Sequence, residues 1–345
     1  MAISGLNNPW DLAFTPDGEM LVTQRTGEIG VKNGHTVDVL RHLNDVKVGG
    51  EGGLMGIAVD PEFEENRRIY VCLSSTRGDT PTGFGGDNRV ARFKVNSGFT
   101  RLTHRADIVT RIPYHFWVHN GCRLRFGPDL HLWITTGDAA LCSAPQDPDS
   151  LAGKVLRVDT AGAGAAGNPG GAFDDRVYTR GHRNPQGIAF RPSDGQAFSI
   201  EHGPNEDDEV NKLVAGANYG WNPSDGEVPC NYDQSVPMTD LAMFPNAVVA
   251  VWSSGAPTIA PSGGTFLDGA QWSGYNGALA AAVLKDEHLH LFTLNGDVLV
   301  GEDERLARYE ARLRSAVQGP NGKLYLTTDA PSGGGEVWKV TPEPS

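Results

Sequence analysis

The residues able to do chemistry in this chain are a histidine, several arginines and a run of carboxylates, all set among glycines and prolines. The densest group lies between Tyr178 and Trp221. It holds the turn Gly-His-Arg-Asn-Pro-Gln-Gly at 181–187 and the acidic loop Glu-His-Gly-Pro-Asn-Glu-Asp-Asp-Glu at 201–209. The first supplies His182, Arg183, Asn184 and Gln186, more polar side chains than a turn needs. They serve either as a hydrogen-bonded corner or as a fork of donors for a carboxylate-bearing ligand, since Arg offers a planar bidentate donor. The second is rich in side-chain oxygen, with carbonyls exposed around Gly203 and Pro204. Hard cations such as Ca²⁺ take six to eight oxygens, although the loop lacks EF-hand spacing and also reads as a solvated acidic loop. His119, in WVHNGCRLRF, stands on a Gly-flanked loop at a strand start. An imidazole there is either a general base near neutral pH or a hydrogen-bonded structural residue. Arg312 and Arg314 alternate in ARLRSAV, which puts them on one strand face, and Lys285 ends a strand in AVLKDE. Together these three predict a cationic pocket and an anionic ligand. The stretch GGEGGLMG at 49–56 has no P-loop lysine; its glycines fit a tight loop, and Glu51 faces either a channel or solvent.

Short strands must hold these groups. Trp10–Thr23 reads as strand, Pro-Asp-Gly turn, strand, and the pattern returns at Leu54–Leu73, Cys122–Asp138, Gly187–His202, Ser262–Leu294 and Leu313–Asp329. The spacing of roughly 50 to 70 residues suits four-stranded sheets with loops. Six such sheets in a ring make an all-β, six-bladed propeller of antiparallel blades, in which each blade covers its neighbours' faces. The whole chain, 1–345, is expected to be this one domain, with its chemistry at one mouth of the central channel. Glu302–Leu313 has helical composition but also fits a charged strand and loop.

Composition narrows the function. A net charge of −13 opposes phosphate backbones and anionic lipid, which argues against nucleic acid and membrane-surface roles. No apolar run reaches the length of a membrane span. The N-terminus MAISGLNNPW lacks a basic n-region and an apolar h-region, so the chain is expected either to stay in the cytoplasm or to begin after a removed leader. The four cysteines form no CxxC pair. Cys72, in the apolar strand IYVCLSS, is expected to be a buried apolar residue; Cys122, Cys142 and Cys230 lie in or beside loops and could pair.

Taken in order, PWDLAFTPDGEMLVTQRTG, GEGGLMGIAVDPEF, HNGCRLRFGPD, LAGKVLRVD, GHRNPQGIAF, EHGP, GANYGWN, PTIAPSGGTF and RLRSAVQGPNGKLYLTTD resemble the glucose/sorbosone dehydrogenase family, from about Leu6 to Val340. The resemblance implies a six-bladed quinoprotein using pyrroloquinoline quinone (PQQ) and Ca²⁺. It places His119 on the base that takes the sugar hydroxyl proton, and Arg183 and Asn184 beside the quinone carbonyls, with Gln186 nearby. Gly203 and Pro204 fall on the carbonyls that hold the catalytic Ca²⁺, with Asp208 as an acid by that site. Lys285, Arg312 and Arg314 match the partners of the PQQ carboxylates, Thr258 another cofactor contact, and Glu51 and Gln146 further pocket positions. Glu209 and the Tyr219 carbonyl resemble a separate structural Ca²⁺ site. Cys122, Ala256 and Ser315 depart from the family pattern, where a Gly, an aromatic residue and an Asp are usual. The long insertions of the dimeric enzymes are missing, so a monomer is expected.

The implied activity is oxidation of an aldose or related alcohol by hydride transfer to PQQ, with His119 as base, Ca²⁺ as Lewis acid and electrons leaving to an external acceptor. Family resemblance implies an extracytoplasmic location. The competing readings are a non-catalytic propeller that only binds ligand, and a Ca²⁺-dependent lactonase, which needs an open metal with side-chain carboxylate ligands and no cationic cofactor pocket.

Overall fold

The structure is a computed structural model and describes residues 1–342. Its strands form six four-stranded antiparallel sheets. From the channel outward, blade one is Pro9–Phe14, Met20–Gln24, Glu28–Asn33 and Thr36–His42. Blade two is Leu54–Val59, Arg68–Ser75, Asp87–Val95 and Leu102–Ile112. Blade three is Gly121–Phe126, Leu132–Thr136, Lys154–Val158 and Val177–Arg180. Blade four is Pro185–Phe190, Ala197–Glu201, Glu209–Lys212 and Trp252–Ser253. Blade five is Pro261–Phe266, Leu279–Val283, Leu289–Asn295 and Val298–Arg305. Blade six is Leu313–Gln318, Leu324–Thr328 and Gly335–Val340, completed on its outer edge by Ile3–Leu6 from the N-terminus. The innermost strands pack in cyclic order, one to six and back to one, so the ring closes.

The repeat read from the sequence is the inner hairpin of each blade. In blade one, Thr15 and Gly18 make the turn: Gly18 N donates to Thr15 O at 2.9 Å and Glu19 N to Thr15 Oγ1 at 3.0 Å. Inner strands are buried on both faces, whereas the outer strand Val298–Arg305 alternates exposed and half-buried residues. An apolar cluster fills each of the six blade interfaces. The largest, between blades two and three, includes Tyr70, Cys72, Leu124 and Ile134. At ~25 cal/mol per Å² of apolar surface removed from water, these interfaces are the main source of stability. No single blade could bury both of its faces alone.

A polar network fills the channel. Asp11 of blade one accepts from Arg123 at 2.9 Å and Arg125 at 2.7 Å, both of blade three, and from Ser315 Oγ of blade six at 2.7 Å. The Arg123 guanidinium lies 4.0 Å over the Trp10 ring. Burial alone would raise the Asp11 carboxyl; Arg123 and Arg125 overcome it and bring the group down to about 2. Burial pulls Arg123 down to about 9, with Asp11 opposing. Ser315 thus hydrogen-bonds to a carboxylate that a neighbouring blade supplies.

Three sequence expectations are corrected or resolved. Cys72 is buried, but it is not a lone apolar residue: it is disulfide-bonded to Cys122, their Cα atoms 5.7 Å apart. The sequence separation of 50 hid that second strand of blade two and first strand of blade three are spatial neighbours. Cys142 pairs with Cys230. Glu302–Leu313 is strand to Arg305, then a single 3₁₀ turn at Ala307–Tyr309, so the strand-and-loop alternative holds. Among the described residues, no helix is long and apolar enough to cross a membrane.

Candidate active site

In an antiparallel blade the residue before the first strand and the residue after the second strand meet at the same end. That end gathers Glu51 from blade two, His119 and Asp138 from blade three, Arg183, Asn184, His202 and Gly203 from blade four, and Thr258 and Ala260 from blade five. With Asp208, Tyr232 and Gln234, all of these except Asp138, which is buried behind His119, line a cavity of about 310 Å³, at the small end of ligand-pocket size (~300–1,000 Å³).

His119 is held by two carboxylates. Its backbone N donates to Glu51 Oε2 at 2.9 Å, and its Nδ1–H donates to Asp138 Oδ1 at 2.7 Å, since a carboxylate only accepts. Nε2 makes no hydrogen bond among the described residues and carries the lone pair of the neutral ring. Asp138 is buried and also accepts from Trp221 Nε1 at 2.8 Å and Tyr232 Oη at 2.5 Å. Burial acts to raise its carboxyl, but His119, Tyr232 and Arg183 lower it further, so it remains ionised. The backbone is unusual here. His119, Ala139 and Ala140 have φ of +56°, +53° and +51°, a region that costs non-glycine residues about 1–3 kcal/mol and clusters at functional sites. Gly137 permits the approach: a Cβ there would stand 2.1 Å from the His119 carbonyl oxygen. Gly50 does the same below Glu51, where a Cβ would lie 2.0 Å from the Trp117 carbonyl oxygen.

Glu51 Oε2 also accepts from Asn184 Nδ2 at 3.1 Å and Gln186 Nε2 at 3.2 Å, so Glu51 faces inward and ties the two loops together. Arg183 donates through Nη1 to the carbonyls of His202 (3.1 Å) and Gly203 (2.9 Å), and through Nη2 to Gln234 Oε1 (3.0 Å). Asp208 accepts from the backbone of Gly203 at 2.8 Å, Ile259 at 2.5 Å and Ala260 at 2.7 Å. That fixes a carboxylate on the Gly203 amide at the cavity wall; Pro204 follows, half-buried. Burial keeps the His202 ring below the ordinary imidazole value, with Asp208 and Glu51 opposing.

The expected cationic cluster divides. Arg314 is buried, bonded to Gln186 Oε1 at 2.6 Å and Asp329 Oδ2 at 2.7 Å. Arg312 precedes the strand, which bulges between Leu313 and Ser315. It is half exposed and donates to the Leu284 carbonyl at 3.1 Å. Lys285 is held at the rim by the Thr258 carbonyl at 2.6 Å. Arg25, absent from the sequence reading, joins Arg312 and Arg314 around Asp329. Three guanidiniums around one carboxylate leave excess positive charge. The buried Nε atoms of Arg183 and Arg314 and the Nε2 of His202 have no partner among the described residues. These features fit a planar, polycarboxylate cofactor, and the Gly203 carbonyl with the Asp208 carboxylate fits a hard cation.

Eight expected positions are not among the cavity-lining residues: Gln186, Pro204, Lys285, Arg312 and Arg314, described above, and Gln146, Glu209 and Tyr219. Gln146 donates to Asn218 Oδ1 at 3.0 Å and the Trp221 carbonyl at 2.9 Å, which ties loops together. Glu209 and Tyr219 sit further out in blade four. Glu209 is buried directly across the ladder from Glu201, and burial together with Glu201 raises it to about 8. The folded state therefore holds a proton that the unfolded chain releases, and stability falls as pH climbs from about 4.5 towards about 8 unless a cation balances the pair. That excess negative charge fits a bound cation.

Asp138, Tyr232, Gln234, His202 and Arg25 were missed. Tyr232 and Gln234 ride on the long segment between Lys212 and Trp252, which the Cys142–Cys230 disulfide fastens to the loop after Asp138. No periodicity announces such a loop. Asp138 was findable: TTGD and TTDA put Asp138 and Asp329 just past the second strand of their blades.

The sequence profile of the Glucose / Sorbosone dehydrogenase family matches residues 6–338. The aldose sugar dehydrogenase YliI of Escherichia coli (strain K12) is 30% identical over 352 residues, covering 98% of this chain and 91% of that protein. Among solved structures, a glucose dehydrogenase superposes with TM-score 0.89 at 28% identity, covering 100% of this chain and 99% of the other. The PQQ-bound form of the aldose sugar dehydrogenase from Streptomyces coelicolor superposes with TM-score 0.82 at 28% identity, covering 99% and 96%.

Proposed function

Since the chain belongs to the glucose/sorbosone dehydrogenase family, we propose that it is a PQQ- and Ca²⁺-dependent dehydrogenase acting on a hydroxyl of an aldose or related alcohol. One observation supports this most: a cavity-lining His119 whose Nδ1 is fixed on ionised Asp138 and whose Nε2 is left free. When bound, the quinone supplies two-electron acceptance and Ca²⁺ supplies Lewis acidity.

The chain's residues do the rest. His119 Nε2 takes the substrate hydroxyl proton, and the Asp138 carboxylate stabilises the imidazolium that results. The Arg183 guanidinium, anchored by two carbonyls and Gln234, stabilises negative charge that develops in the cavity. Asn184, Gln186 and Thr258 orient the cofactor, and Arg312, Arg314 and Lys285 balance its carboxylates. Gly203 and Pro204 offer carbonyls and Asp208 a carboxylate to the catalytic Ca²⁺. Glu209 and the Tyr219 carbonyl hold a second, structural ion. The product of an aldose is its lactone, with electrons passing to an external acceptor. Two disulfides suit an oxidising, extracytoplasmic compartment.

The test is titration of the protein with PQQ in Ca²⁺, followed by dye-linked oxidation of a panel of aldoses. Stoichiometric PQQ binding with dye reduction is the expected result. Binding without turnover on any sugar or alcohol leaves a binding module; lactone hydrolysis without PQQ leaves a lactonase.

A further inference from the structure

A second cluster of chemistry-bearing side chains lies on the outer half of blade five, away from the cavity. Strands Leu289–Asn295 and Val298–Arg305 pair with His290 opposite Glu304 and Phe292 opposite Glu302. Period-two alternation therefore puts His288, His290, Glu302 and Glu304 on one face. One ring nitrogen of each histidine and one carboxylate oxygen of Glu304 lie within 4.8 Å of one another. Both histidines are buried and Glu304 is exposed, so the cluster is walled by protein on one side and open to solvent on the other.

The outer hydrogen bonds fix both tautomers. His288 Nδ1 stands 3.1 Å from the Asp286 carbonyl oxygen, which only accepts, so Nδ1 carries the hydrogen. His290 Nε2 stands 3.1 Å from Glu302 Oε2, a carboxylate oxygen that already accepts from Trp252 Nε1 at 2.6 Å, so Nε2 carries the hydrogen. The two remaining nitrogens, His288 Nε2 and His290 Nδ1, face each other at 3.1 Å. In neutral rings both present lone pairs, which repel unless a cation is shared between them. An outward N–H bound to a carbonyl or carboxylate, with the other nitrogen bare, is the pattern of metal-ligating histidines. At metal–nitrogen distances of ~2.0–2.1 Å, two ligands of a tetrahedral ion stand roughly 3.3 Å apart, close to the spacing present. Packing locks the His290 ring between Phe292 and Trp252, with centroids at 4.3 and 5.5 Å.

We propose that His288, His290 and Glu304 bind a divalent transition-metal ion, best matched by Zn²⁺, with solvent completing a tetrahedral shell. Two imidazoles and a carboxylate suit Zn²⁺, Ni²⁺ or Cu²⁺, whereas Ca²⁺ takes oxygen. Glu302, through His290, is a positioning residue. The ion would pin the outer edge strand of blade five to its neighbour.

Zn²⁺ is titrated calorimetrically into the full chain, in Ca²⁺-containing buffer freed of transition metals. The wild type is expected to bind one tight equivalent. Glu304→Gln, on the surface, should weaken that equivalent at least ~10-fold, and Glu302→Ala should weaken it about 10- to 100-fold through the lost outer hydrogen bond. His288→Gln should abolish it, with dye-linked turnover unchanged. Co²⁺ in place of Zn²⁺ should show the intense visible bands of a four-coordinate site, lost in His288→Gln. No tight equivalent in the wild type overturns the proposal and leaves a shared proton between the rings. So does an equivalent that Glu304→Gln and His288→Gln leave intact, which would place the metal on other histidines.

Discussion

His119 and His182 look alike locally and differ in what their second nitrogen meets. Each is buried and pairs Nδ1 with a buried carboxylate, Asp138 at 2.7 Å and Glu201 at 2.8 Å. His182 Nε2 is 2.8 Å from Thr179 Oγ1 and its ring stacks on Tyr219 at 4.6 Å, so nothing is left over. His119 Nε2 is left free, and its backbone is held at positive φ. A His–carboxylate pair alone therefore marks neither catalysis nor structure. The free valence and the cavity beside it separate the two.

Exchanging these residues should break the resemblance in opposite directions. His119→Ala should cost ~10²–10⁴-fold in kcat, the usual worth of general-base action, with PQQ binding and melting temperature nearly unchanged. Asp138→Asn comes next, at about 10²-fold in kcat, or ~2.7 kcal/mol, because the amide no longer enforces the Nδ1–H tautomer or stabilises the imidazolium. Its signature is a kcat–pH profile displaced from wild type rather than a lower one of the same shape. His182→Ala should instead lower stability by about 1–3 kcal/mol, since it leaves a buried Glu201 oxygen without its donor. Denaturant unfolding reads that loss, and turnover of the folded fraction should stay close to wild type. Tyr232→Phe should be mildest: one hydrogen bond to Asp138 is lost, ~1 kcal/mol or a few-fold in kcat. If His182→Ala cut kcat as deeply as His119→Ala, the free Nε2 would not be what separates the two histidines.

The fold was legible because a propeller repeats its hairpins. Alternating apolar residues and Pro-Asp-Gly turns at Trp10–Thr23 and its five successors mark strands that become the inner hairpins of the blades. Candidate residues just before a first strand were equally legible: Glu51, His119, Arg183 and Arg312 lie one to three residues ahead of the first strands of their blades. Residues just after a second strand, such as Arg25, Asp138 and His202, are readable by the same rule. Tyr232 and Gln234 were not readable, because a disulfide fastens their loop and pairing between Cys142 and Cys230 depends on three-dimensional proximity. The Cys72–Cys122 bond escaped for the same reason: burial in an apolar strand says nothing about what the neighbouring blade presents. The His288–His290 pair was visible as His-x-His, but only the ladder register puts Glu304 opposite it.

General-base action by His119 is read by rapid mixing of PQQ- and Ca²⁺-loaded protein with an aldose, following the cofactor's absorbance in wild type and His119→Ala. Both proteins are expected to bind PQQ equally; sugar should reduce it promptly in the wild type and ~10²–10⁴-fold more slowly in the variant. Equal rates of reduction in the two proteins would contradict general-base action by His119.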